Sequence, residues 1–397
     1  MPGFELFGDL ERKELNDVLE NGVLMRYGFD GMRNGHWKAK ELEREIETRF
    51  DVKHAQLTSS GTTAINVALA VMGIGAGDEV IMPAFTFVAS FESIIASGAV
   101  PVLVEIDDTL TLDPAAVEKA ITPKTKAVMP VHMCGSMADL DPLLAICKKH
   151  GIYLLEDACQ AFGATYKGKK VGTLGDAGTF SFDFVKTITC GEGGVVMTNN
   201  DEFAIAADQY TDHGHDHIGS DRGAETHPVL GYNFRISELH AAVGLGQIKR
   251  MDDFISIQRR NHRILKQALS EIPEVSFRRI PDPEGDSCGF LNFFMTTADL
   301  TYKVVDAFKD HGIDGYWNYY NNNWHYIRKW EHLKEIKSLF PLSENIKKGL
   351  ERISEQKFPQ SDDLISRNIS CLIKLSWTED QVIDLGKRMN AAIKSVL

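Results

Sequence analysis

The sequence has 397 residues, with 43 basic and 56 acidic side chains and a formal net charge of −13. That balance, with no basic stripe along the chain, argues against a nucleic-acid footprint, and no apolar run is long enough to span a bilayer. At 43% hydrophobic and 25% charged residues the composition is that of a globular protein with a large core, in roughly two to three domains.

The opening stretch, "MPGFELFGDLERKEL", lacks the basic and apolar regions of a signal peptide, so a cytoplasmic protein is expected. Its partners are expected to be small molecules or other protein chains. Cys134, Cys147, Cys159, Cys190, Cys288 and Cys371 are dispersed with no CxxC pair. They read as buried thiols, neither a disulfide frame nor a zinc or iron–sulfur cluster.

From about residue 54 to 199, short β-branched and apolar runs alternate with helix-like segments: "HAQLTSS", "EVIMPAF", "VPVLVEI", "AVMPVHM", "IYLLED", "GTFSFD" and "GGVVMT". Such alternation predicts βαβ units and a mostly parallel sheet covered by helices. Ligands of these sheets bind at the carboxyl ends of the strands, so the residues that follow each run are where chemistry is sought. After residue 200 a His-rich stretch, "YTDHGHDHIGSDRGAETHP", leads to "GYNFRISE" and one long helical segment, with Ser237 as its N-cap and Glu238 in its first turn. This helix is expected to bridge to a second unit. "IPEVSFRRIPDPEGDSCGF", rich in Pro and Gly, opens a smaller C-terminal unit of mixed α and β character. The boundaries drawn are 1–250 for the large unit and 251–397 for the linking helix and the small one.

Four strand-end features carry chemical meaning. "LTSSGTTAINVALAVMGIG" reads as strand, Ser/Thr-rich turn and helix. It would aim free N–H groups and a helix dipole at one point, either as a phosphate cradle or simply as a capped helix. In "YLLEDACQAFGA", Glu156 and Asp157 end a buried strand, where a carboxylate requires a partner. Gln160 follows on the same side if the chain has begun to turn. Phe85 and Phe87 alternate in "PAFTFVAS", and either could stack on a flat ligand or lie in the core. Lys186, in "SFDFVKTITCGEGGVV", sits behind an apolar run and ahead of a glycine-rich turn. A partly desolvated lysine there becomes a nucleophile toward carbonyls, whereas a snorkelling one keeps its head in water. Together, a phosphate cradle, a buried carboxylate, an aromatic face and a reactive lysine are what pyridoxal 5'-phosphate (PLP) requires.

The motifs "SSGTTA", "PAFTFVAS", "PVHMCGSMADLDP", "LEDACQAFGA", "GDAGTFSFDFVK", "GEGGVVMTN" and "GYNFRISE", in this order over almost the full length, resemble the DegT/StrS group of PLP-dependent sugar aminotransferases. The resemblance implies an α/β protein of fold type I. Its large domain would carry a mostly parallel seven-stranded sheet flanked by helices, beside a smaller C-terminal α+β domain. It implies that Lys186 bonds PLP covalently, with pyridoxamine phosphate as the aminated form, and that Asp157 pairs with the pyridine nitrogen. Gln160 would contact the ring hydroxyl and Phe87 would stack on the ring, while Gly61, Thr62 and Ser181 hold the phosphate. Asn233 resembles a residue that reaches the phosphate from a neighbouring subunit, which implies a homodimer with shared sites.

Further stretches, "MPGFELFG", "VKTITCGEGG", "DHGHDHIGSDRGAETHP", "IPDPEGDSCGF", "NNWHY" and "LIKLSW", resemble the branch of this group that aminates the C8 aldehyde of an oxidised 3-deoxy-manno-octulosonate. That branch takes a free sugar acid as acceptor and glutamate as donor. Two carboxylate substrates call for cations, and the planar fork of arginine suits them. Arg222 and Arg235 are the candidates, with Arg26 and Arg33 behind them; a surface salt bridge is the alternative for each. His213, His215 and His217 would share one face of an extended chain. Hydrogen bonding to sugar hydroxyls is preferred there to a metal site, and no metal is expected. The rival readings are a nucleotide-linked keto sugar as acceptor, a PLP-dependent sugar dehydratase, and a PLP-binding paralogue without turnover.

Overall fold

A computed structural model describes residues 2–219 and 221–397. Two helices, α1 (Asp9–Asn21) and α2 (Lys38–Phe50), precede β1 (His54–Thr58), which runs into α3 (Gly61–Val71). The chain then alternates through β2 (Glu79–Pro83), α4 (Val88–Ala96), β3 (Val100–Val104), α5 (Pro114–Ala120), β4 (Thr125–Val128), α6 (Leu140–His150) and β5 (Tyr153–Asp157). A small antiparallel pair, β6 (Thr165–Tyr166) and β7 (Lys169–Lys170), comes next. It is followed by β8 (Ala177–Ser181), β9 (Gly194–Thr198) and α7 (Asp201–Thr211).

All seven expected runs become strands of one sheet, in the order β1-β9-β8-β5-β4-β2-β3. Neighbours from β8 to β3 are parallel, and β9 is antiparallel to both β1 and β8. Side chains alternate between two apolar layers, as the two-residue period of a strand requires. Val80 and Met82 pack with α3, α4 and α7 on one face, while Ile81, Val195 and Met197 pack with α2 and α6 on the other. Burial on both faces is why these strands read as nearly continuous apolar runs.

Register brings the strand ends together. Gly194 pairs with Ser181 on one side and with Thr58 on the other, and Asp157 pairs with Thr179. Gly194 has no room for a side chain, because a Cβ there would lie 2.2 Å from the Ser60 carbonyl oxygen.

The segment expected as one long helix is two: α8 (Glu238–Ile248) and α9 (Met251–Leu269). The break falls at Lys249 and Arg250, whose side chains turn to α1, Lys249 to Glu14 at 2.7 Å and Arg250 to Glu11. Ser237 caps α8 by accepting from the His240 amide, and Glu238 holds the Lys38 amide at the start of α2. Beyond α9 come β10 (Ser276–Phe277), β11 (Phe290–Phe294), α10 (Ala298–Asp310), β12 (Tyr316–Trp317), α11 (Glu331–Lys334), α12 (Glu344–Glu355), α13 (Pro359–Arg367), β13 (Asn368–Leu372) and α14 (Glu379–Lys394). The four strands form an antiparallel sheet in the order β10-β11-β13-β12, whose core includes Leu265, Phe293, Phe308, Ile369 and Met389. Tyr319, Tyr326, Trp330 and Leu350 instead join the apolar layer on the α3–α4 face of the first sheet. No helix among the described residues is long and apolar enough to cross a membrane.

Candidate active site

The four features meet at the carboxyl ends of β1, β2, β5 and β8, where a ligand of such a sheet binds. Ser60 caps α3 by accepting from the Thr63 amide at 3.1 Å. The amides of Gly61 and Thr62, ahead of it, have no acceptor among the described residues. Ser181, only 8% exposed, ends β8 directly against this turn. A Cβ on Gly61 would lie 2.7 Å from the Ser181 Cβ and 3.0 Å from its Oγ. Two free N–H groups, a hydroxyl and the positive end of a helix therefore face one spot, which is the donor set a phosphate needs.

Asp157 is 3% exposed. Its carboxylate accepts from the Ser90 hydroxyl at 2.6 Å and from the Cys159 amide at 3.2 Å, and it makes no ion pair among the described residues. A buried carboxylate without a cation is costly, and a protonated ring nitrogen would supply the missing charge. Its neighbour Glu156 is fully satisfied. It accepts from the amides of Gly172, Leu174 and Gly175 and lies 3.0 Å from His132 Nε2. The Ala138 amide donates to His132 Nδ1, so Nε2 carries the proton and donates to Glu156. Of the two strand-end carboxylates, Glu156 holds the fold and Asp157 is left for a ligand.

Lys186 is half-buried in the loop after β8, and its amine has no hydrogen bond or ion pair among the described residues. The loop itself is tied down. The Gly3 amide donates to the Lys186 carbonyl at 2.9 Å, and Phe4 stacks on Phe184 with centroids 4.2 Å apart. The two phenylalanines differ in exposure. Phe85 is wholly buried beside Tyr319, whereas Phe87 is 44% exposed and offers a free ring face. Gln160 accepts the Cys134 amide on its Oε1 at 2.9 Å, which leaves its NH2 end to face a ligand.

These residues fit PLP: a free amine, a buried carboxylate without a cation, an exposed aromatic ring and an unfilled anion cradle lie on adjoining loops. The residue that sequence reasoning passed over is His325. Its ring lies 5.5 Å from that of Phe87, and its buried Nδ1 has no hydrogen-bond partner. Burial, reinforced by the positive charge of Lys186, pushes its pKa down to about 3. It comes from an irregular segment distant in sequence, and only "NNWHY" marked it.

The expected substrate residues form a second cluster. Asp212, wholly buried, is its hub. Arg222 donates to both Asp212 oxygens, at 2.7 and 3.2 Å; Arg235 bonds it too, and His217 Nε2 lies 2.9 Å away. Burial alone would raise the Asp212 pKa, but His217 and the two arginines hold it well below the usual carboxylate range. His217 also reaches Asp208 at 2.6 Å. Burial opposes its charge, yet the two carboxylates outweigh burial and raise its pKa to about 9. His215 lies 2.8 Å from Glu225, and the backbone carbonyl of His213 accepts from His227 Nδ1 at 2.9 Å. His215 and His217 are thus each paired with carboxylates, and at His213 the bonded group is the backbone carbonyl.

Asn233 is exposed next to Tyr232 (56%) and Leu230 (92%). Asn233 forms an isolated antiparallel bridge with Asp212, and the amide of Ser59 donates to the Phe234 carbonyl at 2.7 Å, so the cluster abuts the cradle. Arg26 and Arg33 are elsewhere. Arg26 is 4% exposed and 2.6 Å from Glu43. Arg33 is wholly buried, donating to the carbonyls of Gly28 and Met25. Both guanidinium groups brace the N-terminal segment, which removes them from contact with a substrate. Away from these clusters, single ligand atoms of His262, Asp286 and Cys288 come within 4.8 Å of one another. Lys266 and Arg278 line the cavity beside His262 and Asp286, and their charge opposes a metal ion there.

Comparison with known proteins gives the family. The sequence model of the DegT/DnrJ/EryC1/StrS aminotransferase family matches residues 8–357. The chain is similar to a GDP-perosamine synthase of Vibrio cholerae, 36% identical over 348 residues, covering 84% of this chain and 87% of the relative. It is also similar to a GDP-perosamine synthase of Caulobacter vibrioides, 41% identical over 278 residues, covering 67% and 73%. Among solved structures, 3-amino-5-hydroxybenzoic acid synthase superposes with a TM-score of 0.81 at 30% identity, covering 98% of this chain and 97% of that one. An aminotransferase from Psychrobacter cryohalolentis superposes with a TM-score of 0.86 at 26% identity, covering 98% of both. A sheet whose register gathers a lysine, a carboxylate and an anion cradle has found its relatives, and the chain belongs to the DegT/DnrJ/EryC1/StrS aminotransferase family, a PLP-dependent enzyme of sugar amination.

Proposed function

We propose that the chain moves the amino group of L-glutamate to the C8 aldehyde of 8-oxo-3-deoxy-manno-octulosonate, a free sugar acid destined for lipopolysaccharide. The observation that carries transamination is the Lys186 amine, unpaired among the described residues, on the same strand-end surface as the cation-free carboxylate of Asp157. The acceptor rests on the stretches quoted for the octulosonate branch, two of which fall in the Asp212 cluster and the His325 segment.

PLP supplies an electron sink for the carbon that loses its proton. Lys186 would hold it through Nζ, and as a free amine the same Nζ would take the proton at the donor Cα. Asp157 would keep the ring nitrogen protonated. Gly61, Thr62 and Ser181 would hold the phosphate, Phe87 would cover the ring and the NH2 of Gln160 would donate to the ring oxygen. Arg222 and Arg235, whose charge Asp212 only partly neutralises, would with His213 and His215 line the surface offered to the sugar and the donor carboxylate. Asn233 would reach the phosphate of a neighbouring copy, and the exposed Leu230 and Tyr232 beside it suit a homodimer interface. In this reading residues 1–250 carry the cofactor and 251–397 the smaller unit, and six unpaired cysteines suit the cytoplasm.

A second acceptor, a nucleotide-linked keto sugar, is favoured by the names of the GDP-perosamine synthases. Other relatives are named for L-glutamine as donor, and one is named a pleiotropic regulatory protein. Incubation with glutamate or glutamine and C8-oxidised octulosonate, beside a panel of GDP- and TDP-linked keto sugars, separates these by mass spectrometry. A mass change of +1 on the octulosonate, as an aldehyde oxygen gives way to an amine with its added hydrogens, is the expected result. Amination of the panel alone would overturn the acceptor and leave the family assignment intact. No amination of either would favour a non-catalytic role.

A further inference from the structure

Gln160 can present either end of its amide, and the backbone of residues 133–136 decides which. The Cys134 amide takes its oxygen, yet Cys134 has φ 55° and Gly135 φ 80°. Two successive residues in the left-handed region, one of them not glycine, do not hold that shape unaided. The second sheet supplies the hold. Arg278, next to β10 and 5% exposed, donates through Nη1 to the Met133 carbonyl at 2.6 Å and through Nε to the Thr109 carbonyl. Ser287, 2% exposed, donates to the Gly135 carbonyl at 2.7 Å. Asp286 accepts the Ser136 hydroxyl at 2.8 Å. Packing is tight enough that a Cβ on Gly135 would lie 2.5 Å from Ser287 Oγ.

We propose that Arg278 and Ser287 are positioning residues for the cofactor: by gripping the carbonyls of Met133 and Gly135 they keep the Cys134 amide on Gln160, and so present the NH2 of Gln160 to the ring hydroxyl of PLP. This rests on the reading of Gln160 as the ring contact. The small sheet thereby sets a property of a cofactor bound on the large one. An amide NH2 donated to the ring oxygen stabilises its anionic form, whereas an amide oxygen facing it would repel that form. Loosening the loop lets the side chain turn.

The test uses apoenzyme reconstituted with PLP. Gln160→Ala, Ser287→Ala and Arg278→Lys are compared for PLP affinity and for the pH midpoint of the bound cofactor's absorbance change. Ser287→Ala and Arg278→Lys should each weaken PLP by about 3- to 10-fold, the loss of roughly one hydrogen bond, and move the midpoint upward, as Gln160→Ala does. Adding Ser287→Ala to Gln160→Ala should change the midpoint no further, and Ser287→Thr, which keeps the hydroxyl, should restore it. A purely structural role would lower the urea midpoint of unfolding in Ser287→Ala and Arg278→Lys while leaving the absorbance midpoint at the wild-type value, and that result overturns the proposal. If Gln160→Ala itself moves neither quantity, the ring contact and the clamp both fall. The Lys186 reading survives that outcome, because covalent PLP remains measurable by borohydride reduction.

Discussion

Replacing Gly61 by alanine would set a methyl group 2.7 Å from the Cβ of Ser181, 3.0 Å from its Oγ and 3.2 Å from the Sγ of Cys159. Real contacts of a Cβ do not come that close, so something must move. Ser181 is the poor candidate for yielding cheaply, since β8 is paired on both sides and Ser181 itself pairs with Gly194. Overpacking of this kind costs about 1–3 kcal/mol, and the helix gains back at most about 1 kcal/mol from losing a glycine. A net loss of up to about 2 kcal/mol is expected by urea denaturation of the apoenzyme. The larger effect falls on the cofactor. Displacing the Ser181 hydroxyl removes a hydrogen bond to a charged phosphate, worth about 1.5–3 kcal/mol, so PLP should bind roughly ten- to a hundredfold more weakly. Ser181→Ala is the control, losing similar affinity with little change in stability. A Gly61→Ala protein that takes up PLP with wild-type affinity would refute the cradle.

Lys186→Ala should abolish turnover and covalent retention of PLP after borohydride, while circular dichroism and binding of pyridoxamine phosphate persist. Asp157→Asn should lower the rate on the order of 100-fold or more, since a neutral partner cannot hold the ring proton; single-turnover absorbance with glutamate checks it. His217 carries a pKa raised to about 9 against an unfolded value of 6.5. Its contribution to stability is therefore full below about pH 6.5 and lost as pH rises through about 9, and His217→Gln should flatten the fall in unfolding free energy over that window. Sedimentation should give a dimer, and Leu230→Asp should shift it toward monomer, with loss of PLP if Asn233 completes a neighbouring site.

Much of this was legible because strands buried on both faces write themselves as apolar runs, and because a cofactor site at strand ends leaves its residues directly after those runs. Thus Asp157, Ser181 and Gly61 fall where the runs stop, and all seven runs became strands of one sheet. What the chain order conceals is partnership across distance. Nothing adjacent to Arg26 or Arg33 announces Glu43, 17 residues on, or the carbonyls that absorb Arg33. Likewise Arg222 and Arg235 look free until Asp212 gathers them. His325 and Arg278 reach the site from irregular segments without periodicity, so only three-dimensional packing exposes them. The broken helix at Lys249 and Arg250 belongs with these, because both residues are good helix formers and nothing in their own sequence marks a stop.

The bond from the Gly3 amide to the Lys186 carbonyl, with Phe4 laid on Phe184, has a practical side. An affinity tag fused at the amino terminus would emerge beside the reactive loop and compete for its anchor, depressing cofactor content in a purified sample. Leu397, 55% exposed at the far end of α14, is the safer point of attachment, and preparations tagged at the two ends should differ in yellow colour before any substrate is added.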